Sequence, residues 1–136
     1  MDKCRILVID DEDIVRMSCQ RILIPEGYDV IATKSASEGF RMLDEDCFDV
    51  VLTDLKMPDI DGIEVLRKVK EEWPEVEVIM ITGYQTITTA VQAIKLGAFD
   101  YIEKPFTPDS ILSAVKKAVE QRKENKKGES RNPSSS

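Results

Sequence analysis

Four charged side chains sit just past the ends of apolar runs that lie far apart in this chain of 136 residues. They are Asp10 and Asp11 after RILVI, Asp54 after VVLT, and Lys104 within DYIEKPF. Aspartate is a poor residue to place at the end of a buried strand unless its charge has work to do. Three such carboxylates brought together repel one another, so a cation is expected among them. The lysine supplies a compact positive charge able to meet a phosphate oxygen. The chemistry that needs this set is phosphoryl transfer, with one carboxylate as nucleophile and the others on a metal ion.

Five short apolar runs have to position these groups: 4–9 (CRILVI), 28–32 (YDVIA), 49–53 (DVVLT), 76–81 (VEVIMI) and 99–103 (FDYIE). They recur about every 20 to 27 residues, the spacing of alternating strands and helices. Several are apolar at nearly every position and rich in Val and Ile, as parallel strands covered on both faces must be. Helical patterns fill the gaps. Ile14, Val15, Cys19, Ile22 and Leu23 form one stripe, ended by Pro25 and Gly27. Ser35 with Glu38 reads as a capping box for a second helix, carrying Phe40 and Leu43. Ile63, Leu66 and Val69 mark a third, closed by Trp73 and Pro74. Ile87, Val91 and Ile94 mark a fourth, stopped at Gly97. Ile111, Val115, Ala118 and Val119 mark a fifth, opening near Thr107 and Pro108.

The expected fold is therefore α/β: a single (βα)5 doubly wound, flavodoxin-like domain with a five-stranded parallel sheet in the order 2-1-3-4-5 and helices on both faces. Residues 1–122 make up that domain. Residues 123–136 (KENKKGESRNPSSS) have no apolar periodicity and read as a polar linker, a disordered end or a remnant of cloning. In the 2-1-3-4-5 order the first and third strands are neighbours at the switch point, where ligands bind beyond the carboxyl ends. Asp10, Asp11 and Asp54 fall there, Thr82 ends the fourth strand and Lys104 the fifth, so all five share one edge. Any one of them alone would read as a solvated loop residue.

Composition narrows the function classes. The net charge of −7 opposes direct nucleic-acid binding. No apolar run is long enough to span a bilayer and the start MDKCR is not a signal peptide, so a cytoplasmic protein is expected. Cys4, Cys19 and Cys47 form no CxxC pair, and there is no histidine. A histidine-based nucleophile pair and a phosphohistidine of the chain's own are ruled out, and a structural zinc site would lack its usual ligand set, so the cysteines read as reduced, packed side chains.

The motifs ILVIDDE, LTDLKMPDIDG, MITG and DYIEKPF, in this order at successive strand ends, resemble those of response-regulator receiver domains of bacterial two-component signalling. The resemblance runs from about Arg5 to Val119. It implies that Asp54 is the phosphoacceptor and that Mg²⁺ is held by Asp11 directly, by Asp10 largely through water, by Asp54 and by the Lys56 backbone carbonyl. It further implies that Lys104 pairs with the phosphoryl group, that Lys104–Pro105 is cis, that Thr82 is the switch hydroxyl, and that Tyr101 swings inward behind it. Lys56 and Tyr84 stand where phosphoryl lifetime is tuned. Gly83 is small where bulk would crowd the phosphoryl group.

The implied partner is a sensor histidine kinase or phosphotransfer protein. The implied output is a helix 4–strand 5–helix 5 surface that dimerises on phosphorylation, here offering Lys95, Asp100, Glu103, Lys116, Lys117 and Glu120. Residues 82–106 further resemble receivers of nitrogen-regulatory enhancer-binding activators, so a transcriptional output is expected, with no effector domain in this chain. The chain is thus a signalling domain that catalyses only its own phosphorylation and slow dephosphorylation.

Three rival readings belong to other classes. Asp11-x-Asp13 after the first strand echoes haloacid-dehalogenase phosphatases, with Asp11 as nucleophile, Asp13 as acid/base and Lys95 or Lys104 as the lysine. No acidic pair follows the lysine, however, and DLKMP and KPF stay unexplained. A phosphorylation-independent interaction module would have no need of the intact acid, threonine and lysine set. An EF-hand reading of DIDG fails because Lys68 stands at the bidentate glutamate position.

Overall fold

The computed structural model describes residues 3–83 and 87–131. The elements alternate as β1 (Arg5–Ile9), α1 (Asp13–Leu23), β2 (Asp29–Thr33), α2 (Ala36–Glu45), β3 (Val50–Asp54), α3 (Gly62–Glu72), β4 (Glu77–Thr82), α4 (Ile87–Lys95), β5 (Asp100–Glu103) and α5 (Pro108–Arg131). All strand pairs are parallel and the sheet order is β2-β1-β3-β4-β5, the order expected for the doubly wound fold. No helix among the described residues is long and apolar enough to cross a membrane.

Alternation along the strands divides the core in two. Ile6, Val8, Val50, Leu52, Ile79, Ile81 and Ile102 face α1 and α5, packing on Val15, Cys19, Ile111 and Val115. Leu7, Ile9, Val51, Val78 and Met80 face the other way, onto Leu43, Leu66, Val69 and Ala93. Two-sided burial is why the central strands lack the polar alternation of a half-exposed sheet.

Helix ends follow local chemistry. Ser35 Oγ accepts from Glu38 N at 3.3 Å, but the Ser35 amide donates to Thr33 Oγ1 at 3.4 Å, so the capping box forms on one side only. Ser110 N donates to Thr107 Oγ1 at 3.1 Å and Thr107 N to Ser110 Oγ at 3.2 Å, a reciprocal cap that opens α5. After α1 a short 3-10 turn over Ile24–Glu26 ends on Gly27, whose φ of 96° favours glycine. The backbone of α5 stays helical to Arg131, so part of the polar tail extends the helix. Its Lys, Glu, Gln and Arg residues are good helix formers without any apolar stripe.

Candidate functional site

β1, β3, β4 and β5 end together on one edge of the sheet, and their register sets the site. Ile9 pairs with Thr53, so Asp10 and Asp54 leave adjacent strands side by side. Asp54 pairs with Ile81, and Thr82 with Glu103, which places Lys104 one residue beyond the edge. The Lys104–Pro105 bond is cis and Lys104 N donates to the Thr82 carbonyl at 2.9 Å.

Asp10 and Asp54 are buried, at 1% and 6% exposure. Lys104 Nζ crosses from β5 to lie 3.1 Å from Asp10 Oδ2, 3.2 Å from Asp54 Oδ2 and 2.6 Å from Glu12 Oε1. The contact with Asp10 has the distance of an ion pair but not the alignment of a hydrogen bond, so Asp10 Oδ2 is buried without a hydrogen-bond partner. Its other oxygen accepts from Glu12 N at 2.9 Å. Oxygens of Asp10, Glu12 and Asp54 lie within 4.8 Å of one another, a grouping that could hold a metal ion.

Burial pushes the Asp10 carboxyl above its ordinary value, and Asp54 adds to this, against the lowering by the Glu12 amide and Lys104. For Lys104, burial acts to lower the ammonium, but Glu12, Asp10 and Asp54 together outweigh it and hold the group above its usual range. The pocket is therefore an acidic cluster whose lysine stays charged.

The remaining sequence candidates divide. Asp54 Oδ1 accepts from Lys56 N at 3.4 Å, so the Lys56 backbone borders the cluster while its side chain is exposed. Thr82 is buried at the end of β4. Tyr101 is half-buried on the α2–α3–α4 side of β5, paired in register with Met80. Asp11 is exposed and lies outside the carboxylate grouping, whereas Glu12 lies inside it. Glu12 was not among the residues that the sequence singled out, although it closes the ILVIDDE motif. Tyr84 lies outside the described residues.

Gly62 explains how the loop after Asp54 can turn so sharply. A Cβ there would meet the Asp54 carbonyl at 2.3 Å and Leu55 Cα at 2.6 Å, and Gly62 N donates to the Leu55 carbonyl at 2.7 Å. Only glycine lets α3 start against the backbone of the acidic residue itself.

The family model described as the response regulator receiver domain matches residues 6–116. This chain belongs to the response regulator receiver domain family. Among curated proteins the receiver is similar to the DNA-binding transcriptional regulator NtrC of Proteus hauseri, 35% identical over 126 residues that cover 93% of this chain and 27% of that protein. It is also similar to the regulatory protein DctD of Rhizobium meliloti, 36% identical over 118 residues, 87% of this chain and 26% of that one. The chain thus spans about a quarter of the length of these relatives. Among solved structures, the beryllofluoride-activated NtrC4 receiver domain dimer superposes with a TM-score of 0.84 at 40% identity, covering 87% of this chain and 98% of that one. A CheY-like receiver from Methanospirillum hungatei JF-1 does so with a TM-score of 0.87 at 33% identity, over 91% and 99% of the two chains. The receiver, a signalling domain, is thus similar to the receivers of NtrC/NtrX-like response regulators.

The α4–β5–α5 surface carries the mixed charges read from the sequence: Lys95, Glu103, Lys116, Lys117 and Glu120 are exposed and Asp100 is half-buried. Two apolar side chains of α4 join them, Val91 at 46% and Ile94 at 51% exposure.

Proposed function

We propose that this receiver accepts a phosphoryl group on Asp54 from a sensor histidine kinase or a phosphotransfer protein, in a Mg²⁺-dependent reaction. The observation that carries the reading is the buried Asp54 carboxylate held 3.2 Å from Lys104 Nζ, beside an Asp10 oxygen that has burial but no hydrogen bond. An all-oxygen set with a buried carboxylate oxygen that only Lys104 meets, without a hydrogen bond, suits a hard cation. Asp10, Asp11, Asp54 and the Lys56 carbonyl are the proposed holders of Mg²⁺, with Glu12 at the rim of the same cluster. When bound, the ion offsets negative charge on the entering phosphoryl group.

The chain's own residues do the rest. An Asp54 oxygen attacks phosphorus and forms the new P–O bond. The P–N bond of the donor phosphohistidine breaks, its electron pair stays on the imidazole nitrogen, and that nitrogen takes a proton from water. Lys104 follows the charge by pairing with the transferred phosphoryl oxygens. Thr82, at the adjoining strand end, hydrogen-bonds the phosphoryl group, and Tyr101 moves inward behind it. This shifts the α4–β5–α5 surface toward a homodimer and a downstream output, transcriptional in kind. Phosphorylation of Asp54, from a phosphohistidine or a small donor, and slow hydrolysis of the acyl phosphate are the reactions the domain itself carries out. The similarity to the NtrC4 receiver, a dimer in its beryllofluoride-activated form, supports the dimeric output.

The test is incubation with a small-molecule phosphodonor, with and without Mg²⁺. Wild type gains the mass of one phosphoryl group only with Mg²⁺, and Asp54→Asn gains none. Equal modification of the Asp54→Asn variant would overturn the assignment.

A further inference from the structure

The loop between β3 and α3 carries the Lys56 backbone that borders Asp54, so whatever fixes this loop sets one wall of the site. On its own side it is held by the Gly62 to Leu55 hydrogen bond, an antiparallel bridge between Lys56 and Asp61, and the cap that Asp61 Oδ1 places on Ile63 N at 2.9 Å. One further tie leaves the loop altogether. Asp59 Oδ2 accepts from Ala36 N at 3.2 Å and from Ser37 N at 3.5 Å, the first two amides of α2.

Helix α2 already has its own cap, Ser35 Oγ on Glu38 N. The Asp59 carboxylate meets the two amides that Ser35 leaves open, where the helix dipole favours negative charge. The entry to α2 is in turn tied to the strand that bears Asp10. Ser35 N donates to Thr33 Oγ1, and Asp10 N donates to the Thr33 carbonyl at 3.1 Å. Asp59 therefore closes a circuit from the Asp54 loop, through the start of α2, to the backbone of Asp10.

We propose that Asp59 is a positioning residue of the site: by capping α2 from the β3–α3 loop, it fixes the Lys56 backbone relative to Asp10 and Asp54. Where the effect bears on Mg²⁺, it rests on the phosphoryl-acceptor reading above. The geometric part does not.

Three variants separate the tether from helix stability. Asp59→Ala removes the tie, Asp59→Asn keeps an acceptor oxygen, and Ser35→Ala removes the cap that does not touch the loop. The readouts are the Lys56 amide exchange rate by NMR in chelator, Mg²⁺ affinity by calorimetry, and thermal stability. Asp59→Ala is expected to speed Lys56 exchange and weaken Mg²⁺ binding about tenfold, as loss of an outer support of a metal site does. Asp59→Asn restores both toward wild type. Ser35→Ala lowers the melting temperature and leaves both unchanged.

Unchanged Lys56 exchange in Asp59→Ala overturns the proposal. So does Ser35→Ala perturbing Lys56 as strongly, since helix stability alone would then explain the effect. If wild type itself binds no Mg²⁺, the phosphoryl-acceptor reading fails, and the exchange comparison still decides the tether.

Discussion

Replacing Asp10 by Asn removes one of three clustered carboxylates and should make the protein more stable while disabling it. At an effective dielectric of about 20, Lys104 at 3.1 Å attracts Asp10 by about 5 kcal/mol, and a carboxylate at the outer limit of 4.8 Å repels it by about 3.5 kcal/mol. Asp54 is buried and exerts that repulsion fully, whereas the Glu12 side chain is 52% exposed and largely screened. Attraction and repulsion thus cancel to within about 1–2 kcal/mol, and burial decides. Asp10 Oδ2 has no hydrogen bond, a deficit of about 1–3 kcal/mol for a buried polar group. Asparagine keeps the acceptor for Glu12 N, and Lys104 keeps Glu12 and Asp54.

The variant should therefore gain up to about 1.5 kcal/mol at neutral pH in chelator, the hydrogen-bond deficit less the net attraction given up. In urea that is a rise of up to about 0.7 M in the unfolding midpoint. The sign with pH follows from the raised carboxyl. The penalty is complete where Asp10 is ionised in both folded and unfolded states. It shrinks as pH falls through the raised folded value, and it vanishes below the ordinary 3.8. Added Mg²⁺ should stabilise wild type by about 1.4 kcal/mol at ten times its dissociation constant, and the variant hardly at all. An Asp10→Asn protein less stable than wild type in chelator at pH 7, or a gain that persists undiminished at low pH, would refute the reasoning.

Three other outcomes follow from the same structure. Gly62→Ala drives a methyl group into the Asp54 and Leu55 backbone, so it should cost about 1–3 kcal/mol by thermal denaturation and also slow phosphorylation; a neutral effect on both would contradict the close approach. Thr82→Ala should still take up phosphoryl on Asp54 but fail to shift toward a dimer when sedimented with beryllofluoride at tens of micromolar, where wild type does shift; dimerisation of the variant would remove Thr82 from the switch. The Cys19 thiol is fully buried, and burial pushes it up to about 12, so a thiol reagent should label exposed Cys47 in the native protein and reach Cys19 only on unfolding.

The strands were legible because two-sided burial leaves a simple mark: runs such as VEVIMI have no polar face to hide, while their order followed from the doubly wound topology rather than from the runs themselves. The placement that strand ends dictate was legible: Asp10, Asp54 and Lys104 do meet, and Thr82 is buried at the end of the adjoining strand. Glu12 was not, because its place depends on Lys104 reaching it from 92 residues away, a distance that motif spacing does not encode. The same holds for Asp59, whose partners on α2 lie 23 and 22 positions earlier. Arg122 marked the expected end of the domain, yet its place continues the apolar stripe of α5 and it is buried at 8%, near Asp49. A charged residue in that stripe reads as a boundary until its partner on another element is seen.

The central claim is that the β3 carboxylate, and no other acid of the cluster, takes the phosphoryl group. Borohydride reduction of the phosphorylated protein followed by peptide mass spectrometry reads the site directly, because only an acyl phosphate is reduced to the alcohol. The expected result is reduction at Asp54 alone, dependent on Mg²⁺. Reduction at Asp11, the nucleophile of the phosphatase reading, or at Asp10 would contradict the account.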